Sequence, residues 1–159
     1  YPLQALAQAW GPLAALLITS IAFAAGHLGN PEVTWLGLSN IAAAGLLLGA
    51  VYLRTGSLRW ATGVHLGWNW AQGYLADVPV SGLELLDAPF YEGVAQGPDW
   101  LSGGGFGPEG SALATVVVLA AAASWWWGPW LRPGEAALST RPLAVTDTRL
   151  NGPEGVTAA

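Results

Sequence analysis

Three polar side chains stand out because they lie inside otherwise apolar stretches of the sequence. His27 lies at the end of one long apolar run, and His65 and Asn69 lie four residues apart in another. Residues four apart share one face of a helix, so Asn69 is predicted to lie beside His65, and Phe23 beside His27. A histidine can position or deprotonate water, and a second histidine with an amide can donate hydrogen bonds to a developing oxyanion. These residues therefore predict a hydrolytic site without a serine or cysteine nucleophile.

Each of these residues also has a structural interpretation. A histidine at a helix end can bind the last free carbonyl groups, and an asparagine can join two membrane helices. A bis-histidine haem or transport site is a further alternative, although no pair of repeats with broken helices is visible. The apolar stretches contain almost no other polar groups, which favours one shared site. They also contain no Asp or Glu, so a general base would have to come from elsewhere.

The composition indicates that much of the surface faces lipid. Of 159 residues, 53% are hydrophobic and only 9% are charged, whereas soluble domains carry about 25% charged residues. The net charge of −5 and the absence of lysine exclude nucleic acid as a partner, since its binding needs clustered cations. With no cysteine, the chain has neither disulfides nor thiolate metal sites. The expected partners are membrane lipid and a peptide or protein substrate.

Four apolar stretches each approach the ~20 residues that cross a membrane as a helix. The predicted membrane helices lie at about 10–28, 35–53, 58–76 and 111–131. The predicted fold class is therefore all-α, a multi-pass transmembrane helical bundle with about four membrane helices. The loop 77–110 is rich in Gly and Pro, and a short interfacial helix is predicted within Val80–Tyr91. The polar tail 132–159 is predicted to be poorly ordered.

The distribution of charge predicts an orientation. If the four helices alternate in direction, Arg54 and Arg59 lie on the same face as the tail, and Glu32 lies on the other face with the acidic loop. Cytoplasmic segments of membrane proteins carry an excess of Lys and Arg, so the tail is predicted to be cytoplasmic. The tryptophans from Trp125 to Trp130 are predicted to form an interfacial aromatic belt. Glu109 is predicted to interact with the N-terminal dipole of the last helix, with a role at the mouth of the cavity as the alternative.

Two short motifs resemble those of a known protease family. FAAGH at residues 23–27 and HLGWN at residues 65–69 resemble the Phe-x-x-x-His and His-x-x-x-Asn motifs of the CPBP family. This is the CAAX protease and bacteriocin-processing group, also called Abi, and it includes the Rce1-like prenyl-protein proteases. The resemblance covers about residues 1–76, and GPDWLSGGGFGPEGS at 97–111 is similar to the loop before the last helix in bacterial members. It implies an intramembrane endopeptidase in a bacterial cell membrane.

The resemblance also implies roles for individual residues. His27 and a glutamate of the family's Glu-Glu-x-x-x-Arg motif would activate water, His65 and Asn69 would stabilise the oxyanion, and Phe23 would line the substrate cavity. Because that glutamate motif is missing, the chain is expected to begin just after it and to be inactive as it stands. If the family's description as metalloproteases applies, a divalent metal such as zinc would be bound by His27 and His65. The alternative is a non-enzymatic membrane immunity or partner-binding protein of the same family.

Overall fold

The computed structural model describes residues 2–85 and 92–128, and the ordered elements among them are helical. The α-helices are α1 (Pro2–Trp10), α2 (Pro12–Ala25), α3 (Trp35–Thr55), α4 (Leu58–Trp70), α5 (Asp99–Ser102) and α6 (Ala112–Trp127). A π-helical segment, Ala71–Leu75, continues α4, and two 3₁₀ turns, Gly104–Phe106 and Pro108–Gly110, precede α6. No strand occurs in these two ranges, so the all-α prediction is confirmed for them.

Among the described residues, α3 is the one helix that is both long and apolar enough to cross a membrane. It has 21 residues, and its mean hydropathy is 1.8. Helices α2 and α6 are apolar but shorter than 18 residues. The presence of several membrane spans therefore stays a prediction.

The first predicted helix differs from the structure at both ends. Gly11 has a φ of 86°, a left-handed conformation that favours glycine, and it separates α1 from α2. Pro12 then occupies the first turn of α2, where its missing N–H is not needed. Helix α2 ends at Ala25, so His27 lies in the turn that follows and not inside the helix. The predicted span over 10–28 is thus shortened to 12–25 and preceded by an unpredicted helix.

A tight turn joins α3 to α4. The Thr34 side chain accepts a hydrogen bond from the Gly37 N–H at 3.0 Å and caps the start of α3. Gly56, with a φ of 63°, ends the helix in the left-handed conformation that is common at this position. Helix α3 therefore extends to Thr55, two residues beyond its predicted end.

Helix α3 is central and packs against α2 on one side and α6 on the other. Small residues permit the close approach to α2. A Cβ atom on Gly45 would lie 2.9 Å from the Cα of Ser20, and one on Gly49 would lie 2.4 Å from a methyl group of Leu16. Close contacts of this kind supply the van der Waals attraction that holds membrane helices together. The same contacts show that α2 runs antiparallel to α3.

The bundle has two chemically different ends. One end, called the arginine end, contains the turn between Thr55, where α3 ends, and Leu58, where α4 begins. Here Arg54 donates a hydrogen bond to the carbonyl of Gly128, just after α6. The histidine end comprises residues 23–40, 65–85 and 92–115. Both described arginines, Arg54 and Arg59, lie at the arginine end, and all six described acidic residues lie in the histidine end.

The structure tests part of the short interfacial helix that the sequence predicts within Val80–Tyr91. Residues Val80 and Leu83 bond to each other in a turn through both backbone N–H groups, at 2.9 Å each, so no interfacial helix begins at Val80. In a helix each N–H bonds to a carbonyl earlier in the chain, so the bond from the Val80 N–H to the later carbonyl of Leu83 is not helical. The remainder of that predicted helix, 86–91, lies outside the described residues, as do Trp130 and the tail 132–159.

Candidate active site

His27 is held by the last turn of α2. Its Nδ1 atom lies 2.8 Å from the carbonyl oxygen of Phe23. A carbonyl oxygen can only accept a hydrogen bond, so Nδ1 carries the hydrogen in this contact. The neutral imidazole then has its lone pair at Nε2, where it can accept a proton or a hydrogen bond from water.

The ring of Phe23 brings the two histidines together. Its centroid lies 4.9 Å from that of His27 at an interplanar angle of 62°, and 5.6 Å from that of His65 at 81°. Both contacts are edge-to-face, the arrangement that aromatic rings prefer. The two imidazole centroids therefore lie no more than 10.5 Å apart, the sum of these two distances.

Asn69 lies beside His65, as their spacing on α4 predicts. The Nδ2 atom of Asn69 is 3.4 Å from Nε2 of His65, a long contact in which the amide donates. A neutral His65 then carries its hydrogen on Nδ1. The Asn69 amide has a second N–H, so this pair presents two donors beyond the contact between them. Such donors are the groups that an oxyanion needs.

The four predicted site residues form one half-buried group, Phe23, His27, His65 and Asn69. A metal ion fits this group poorly. Catalytic zinc sites use three protein ligands, and the described residues contain no cluster of three His, Cys, Asp or Glu side chains. The available donors are two imidazoles and one amide, so no step of the chemistry below involves a metal.

Glu109 has a different role from the one predicted. Ser111, and not Glu109, caps α6, because its hydroxyl oxygen accepts a hydrogen bond from the Ala114 N–H at 3.0 Å. Glu109 lies in the preceding 3₁₀ turn and is only 7% exposed. Its Oε1 accepts a hydrogen bond from Trp68 Nε1 at 2.9 Å, and its Oε2 accepts one from Ser81 Oγ at 2.5 Å. The carboxyl group thus points into the protein, toward the helix that carries His65.

Asn40 is a buried polar residue that the sequence analysis missed. It is 3% exposed, and its Nδ2 donates to the carbonyl oxygens of Glu109 and Ser111, each at 2.8 Å. Its Oδ1 accepts a hydrogen bond from Thr115 at 2.7 Å. The sequence contained a signal for it, because Asn40 lies inside the apolar helix α3 just as Asn69 lies inside α4. The residue joins α3 to the start of α6.

One comparison with known proteins concerns the part of the chain that holds these residues. Residues 1–71 match the family model described as Type II CAAX prenyl endopeptidase Rce1-like. The matched range includes all four predicted site residues, and the family is the one that the two motifs resemble. No curated protein and no solved structure has significant similarity to the chain.

Proposed function

Because residues 1–71 are similar to the Rce1-like CAAX prenyl endopeptidases, a family of membrane-associated proteases, we propose that the chain supplies the histidine and asparagine residues of an intramembrane endopeptidase. The observation that carries this proposal is the contact of both imidazoles with the ring of Phe23. Asn69 adjoins the second of them. Two histidines and an amide in one place can serve a single reacting group.

In the proposed reaction, water attacks the carbonyl carbon of a peptide bond. His27 accepts a hydrogen bond from this water at Nε2, the nitrogen that its bond to Phe23 leaves free, and helps to remove the proton. The 159 residues contain no pair of adjacent glutamates, so the glutamate that shares this task is proposed to come from outside them. The proton then passes to the departing amine as the C–N bond breaks. General acid–base catalysis of this kind contributes about 10²–10⁴-fold.

His65 and Asn69 are proposed to stabilise the oxyanion. The N–H groups of His65 Nδ1 and of the Asn69 amide are donors that a developing negative charge can bind. Loss of one such donor lowers kcat by about 10²–10³-fold in hydrolases that depend on them. Phe23, whose ring contacts both imidazoles, is proposed to line the substrate cavity.

We further propose that the chain is a multi-pass protein of a bacterial cell membrane, with α2, α4 and α6 as spans beside α3. The apolar character of α2 and α6 and the separation of arginines from acids support this. Following the excess of arginine, the arginine end and the tail would be cytoplasmic. Because the chain has no cysteine, single cysteines introduced at the exposed residues Leu58 and Val94 test the orientation. A membrane-impermeant thiol reagent applied to whole cells should label position 94 and not 58, and the reverse pattern would contradict the proposed orientation.

Peptide release tests the proposed activity. The 159 residues are expressed alone and also joined at their N-terminus to a segment with the Glu-Glu-x-x-x-Arg motif, and both proteins are assayed on membrane-anchored peptides. We expect hydrolysis only from the joined protein, with a loss of at least about 10²-fold in His27→Ala and in Asn69→Ala. Gln8 is an exposed polar residue of α1, and Gln8→Ala is the control.

Hydrolysis by the 159 residues alone, or hydrolysis that persists in His27→Ala, would contradict the mechanism. A joined protein that never hydrolyses would favour an immunity or partner-binding role.

A further inference from the structure

The buried carboxyl group of Glu109 contacts the helix that carries two of the site residues. Its partner Trp68 lies three residues after His65 and immediately before Asn69 on α4. The indole Nε1 of Trp68 donates a hydrogen bond of 2.9 Å to Glu109, which restrains the rotation of this part of the helix. Any movement of Trp68 about the helix axis also moves the imidazole and the amide.

The second carboxyl oxygen of Glu109 is connected to His27 through a series of hydrogen bonds. Ser81, which donates to it, has its own carbonyl oxygen bound by Asn30 Nδ2 at 2.8 Å. The Asn30 backbone N–H in turn donates to the carbonyl of His27 at 3.1 Å. The loop around Ser81 packs closely against the turn that follows His27. A Cβ atom on Gly82 would lie only 2.0 Å from the carbonyl oxygen of Pro31. Glu109 is therefore connected to His27 through two residues.

Glu109 is itself fixed to the centre of the bundle. Its carbonyl oxygen accepts a hydrogen bond from Asn40 of α3 at 2.8 Å. The side chain of Asn40 also binds the start of α6 through Ser111 and Thr115. Glu109 thus bonds through its backbone to α3 and through its side chain to both segments that carry a histidine.

We propose that Glu109 is the positioning residue that sets the separation of His27 and His65. Its carboxyl group offers one acceptor to each segment, Trp68 on one side and Ser81 on the other. It does not contact the proposed reacting atoms and is not a catalytic residue. The catalytic consequence rests on the proposed endopeptidase function, whereas the geometric role does not.

Substitution by glutamine separates positioning from charge. In Glu109→Gln the side-chain oxygen can still accept from Trp68, and the amide can donate to Ser81 Oγ, because a hydroxyl both donates and accepts. Glu109→Ala loses both bonds. A positioning role therefore predicts that glutamine retains the geometry and alanine does not.

The test is a distance measurement on the full 159-residue chain in lipid nanodiscs. Nitroxide labels are attached to cysteines introduced at Leu28 and Leu66, which are 56% and 66% exposed and adjoin the two histidines. Pulsed electron–electron double resonance then reports their separation. We expect one narrow distribution for the parent chain, for Glu109→Gln and for the exposed-acid control Glu84→Ala. Glu109→Ala should give a shifted or broadened distribution.

A second pair of variants covers the case in which Glu109→Ala does not fold. Trp68→Phe removes one donor and should broaden the distribution. Trp70→Phe should not, because Trp70 stacks on Tyr74 with its ring centroid 5.6 Å away, a contact that phenylalanine can keep. In the joined, protease-active protein, Glu109→Ala should lower kcat by about 10²-fold with KM unchanged, and Glu109→Gln should restore it. The proposal is overturned if Glu109→Ala or Trp68→Phe leaves the distribution unchanged, or if glutamine disrupts it as much as alanine. Because the distances require no hydrolysis, absence of activity would count against the proposed function alone.

Discussion

The two ends of the bundle are held together by different forces. Toward the arginine end, α3, α4 and α6 meet in an apolar cluster of Leu47, Val51, Ala61 and Val118. At the histidine end, the buried residues include Asn40, Ser81, Glu109 and Ser111, which bond to one another and to backbone carbonyls. Dispersion contacts depend little on direction, whereas hydrogen bonds depend strongly on it. The candidate site thus lies where directional bonds fix the geometry.

The largest effect on stability is expected from Asn40→Leu. The change removes a side chain that satisfies two carbonyl oxygens and one hydroxyl in a buried place. The Ser111 carbonyl and the Thr115 hydroxyl keep a contact with each other at 3.4 Å, whereas the Glu109 carbonyl loses its bond to Asn40. A buried group left without a partner costs about 1–3 kcal/mol, so we expect a loss of about 2–3 kcal/mol in the free energy of unfolding. An unfolding titration in detergent micelles, followed by far-UV circular dichroism, measures it.

Ser39→Ala is the matched control for this substitution. Ser39 is the exposed neighbour of Asn40 on α3, and its hydroxyl donates a hydrogen bond to the carbonyl oxygen of Trp35 at 2.8 Å. Its removal should change the free energy of unfolding by less than about 0.5 kcal/mol. If both variants lose the same stability, the polar contacts at the histidine end do not hold it together as described.

Gly82→Ala should have the next largest effect, and Gly97→Ala is its control. Both glycines have a positive φ, 79° and 94°, so alanine is strained at either position. A Cβ atom at Gly82 would also meet the carbonyl of Pro31 at 2.0 Å, whereas nothing lies within 4 Å at Gly97. Gly82→Ala should therefore be less stable than Gly97→Ala by at least about 1 kcal/mol. Equal losses of unfolding free energy in the two variants would mean that the loop around Gly82 does not pack closely against the turn after His27.

A smaller effect is expected at the arginine end from Val51→Ala. Val51 is fully buried, and removal of its two methyl groups leaves a void whose lining loses dispersion contacts. We expect a loss of about 1–1.5 kcal/mol in the same titration. Val116, which is 65% exposed on α6, is the matched control, and Val116→Ala should be nearly neutral. A larger loss from Val51→Ala than from Asn40→Leu would reverse the comparison between the two ends.

The sequence predicts local features of this molecule better than the contacts between distant segments. The proximity of Asn69 to His65, and of His27 to Phe23, follows from a separation of four residues. The contact between Phe23 and His65 depends on tertiary packing. The scarcity of other polar groups and the family resemblance predicted a shared site, but not this contact. The bond between Trp68 and Glu109 joins residues 41 apart, and no local pattern encodes it.

The differences in helix limits also have physical reasons. An apolar run through Gly11 predicts a continuous helix, but a glycine followed by proline permits a break that the hydrophobicity does not reveal. After Ala25 the backbone N–H groups of His27 and Leu28 bond to carbonyls three residues earlier, at 2.9 and 3.2 Å. Hydrophobicity does not reveal this change from helix to turn either. Asn40, in contrast, was accessible to prediction, because an amide inside an apolar helix indicates a buried partner.

The central claim is that both imidazoles belong to one site, and nuclear magnetic resonance of the histidines tests it most directly. The chain has only two histidines, so a His65→Gln variant assigns the ring signals of both. We predict nuclear Overhauser contacts from each imidazole to the ring of Phe23, and nitrogen shifts that place the hydrogen of neutral His27 on Nδ1. Contacts from His27 alone, with none between His65 and Phe23, would contradict the account.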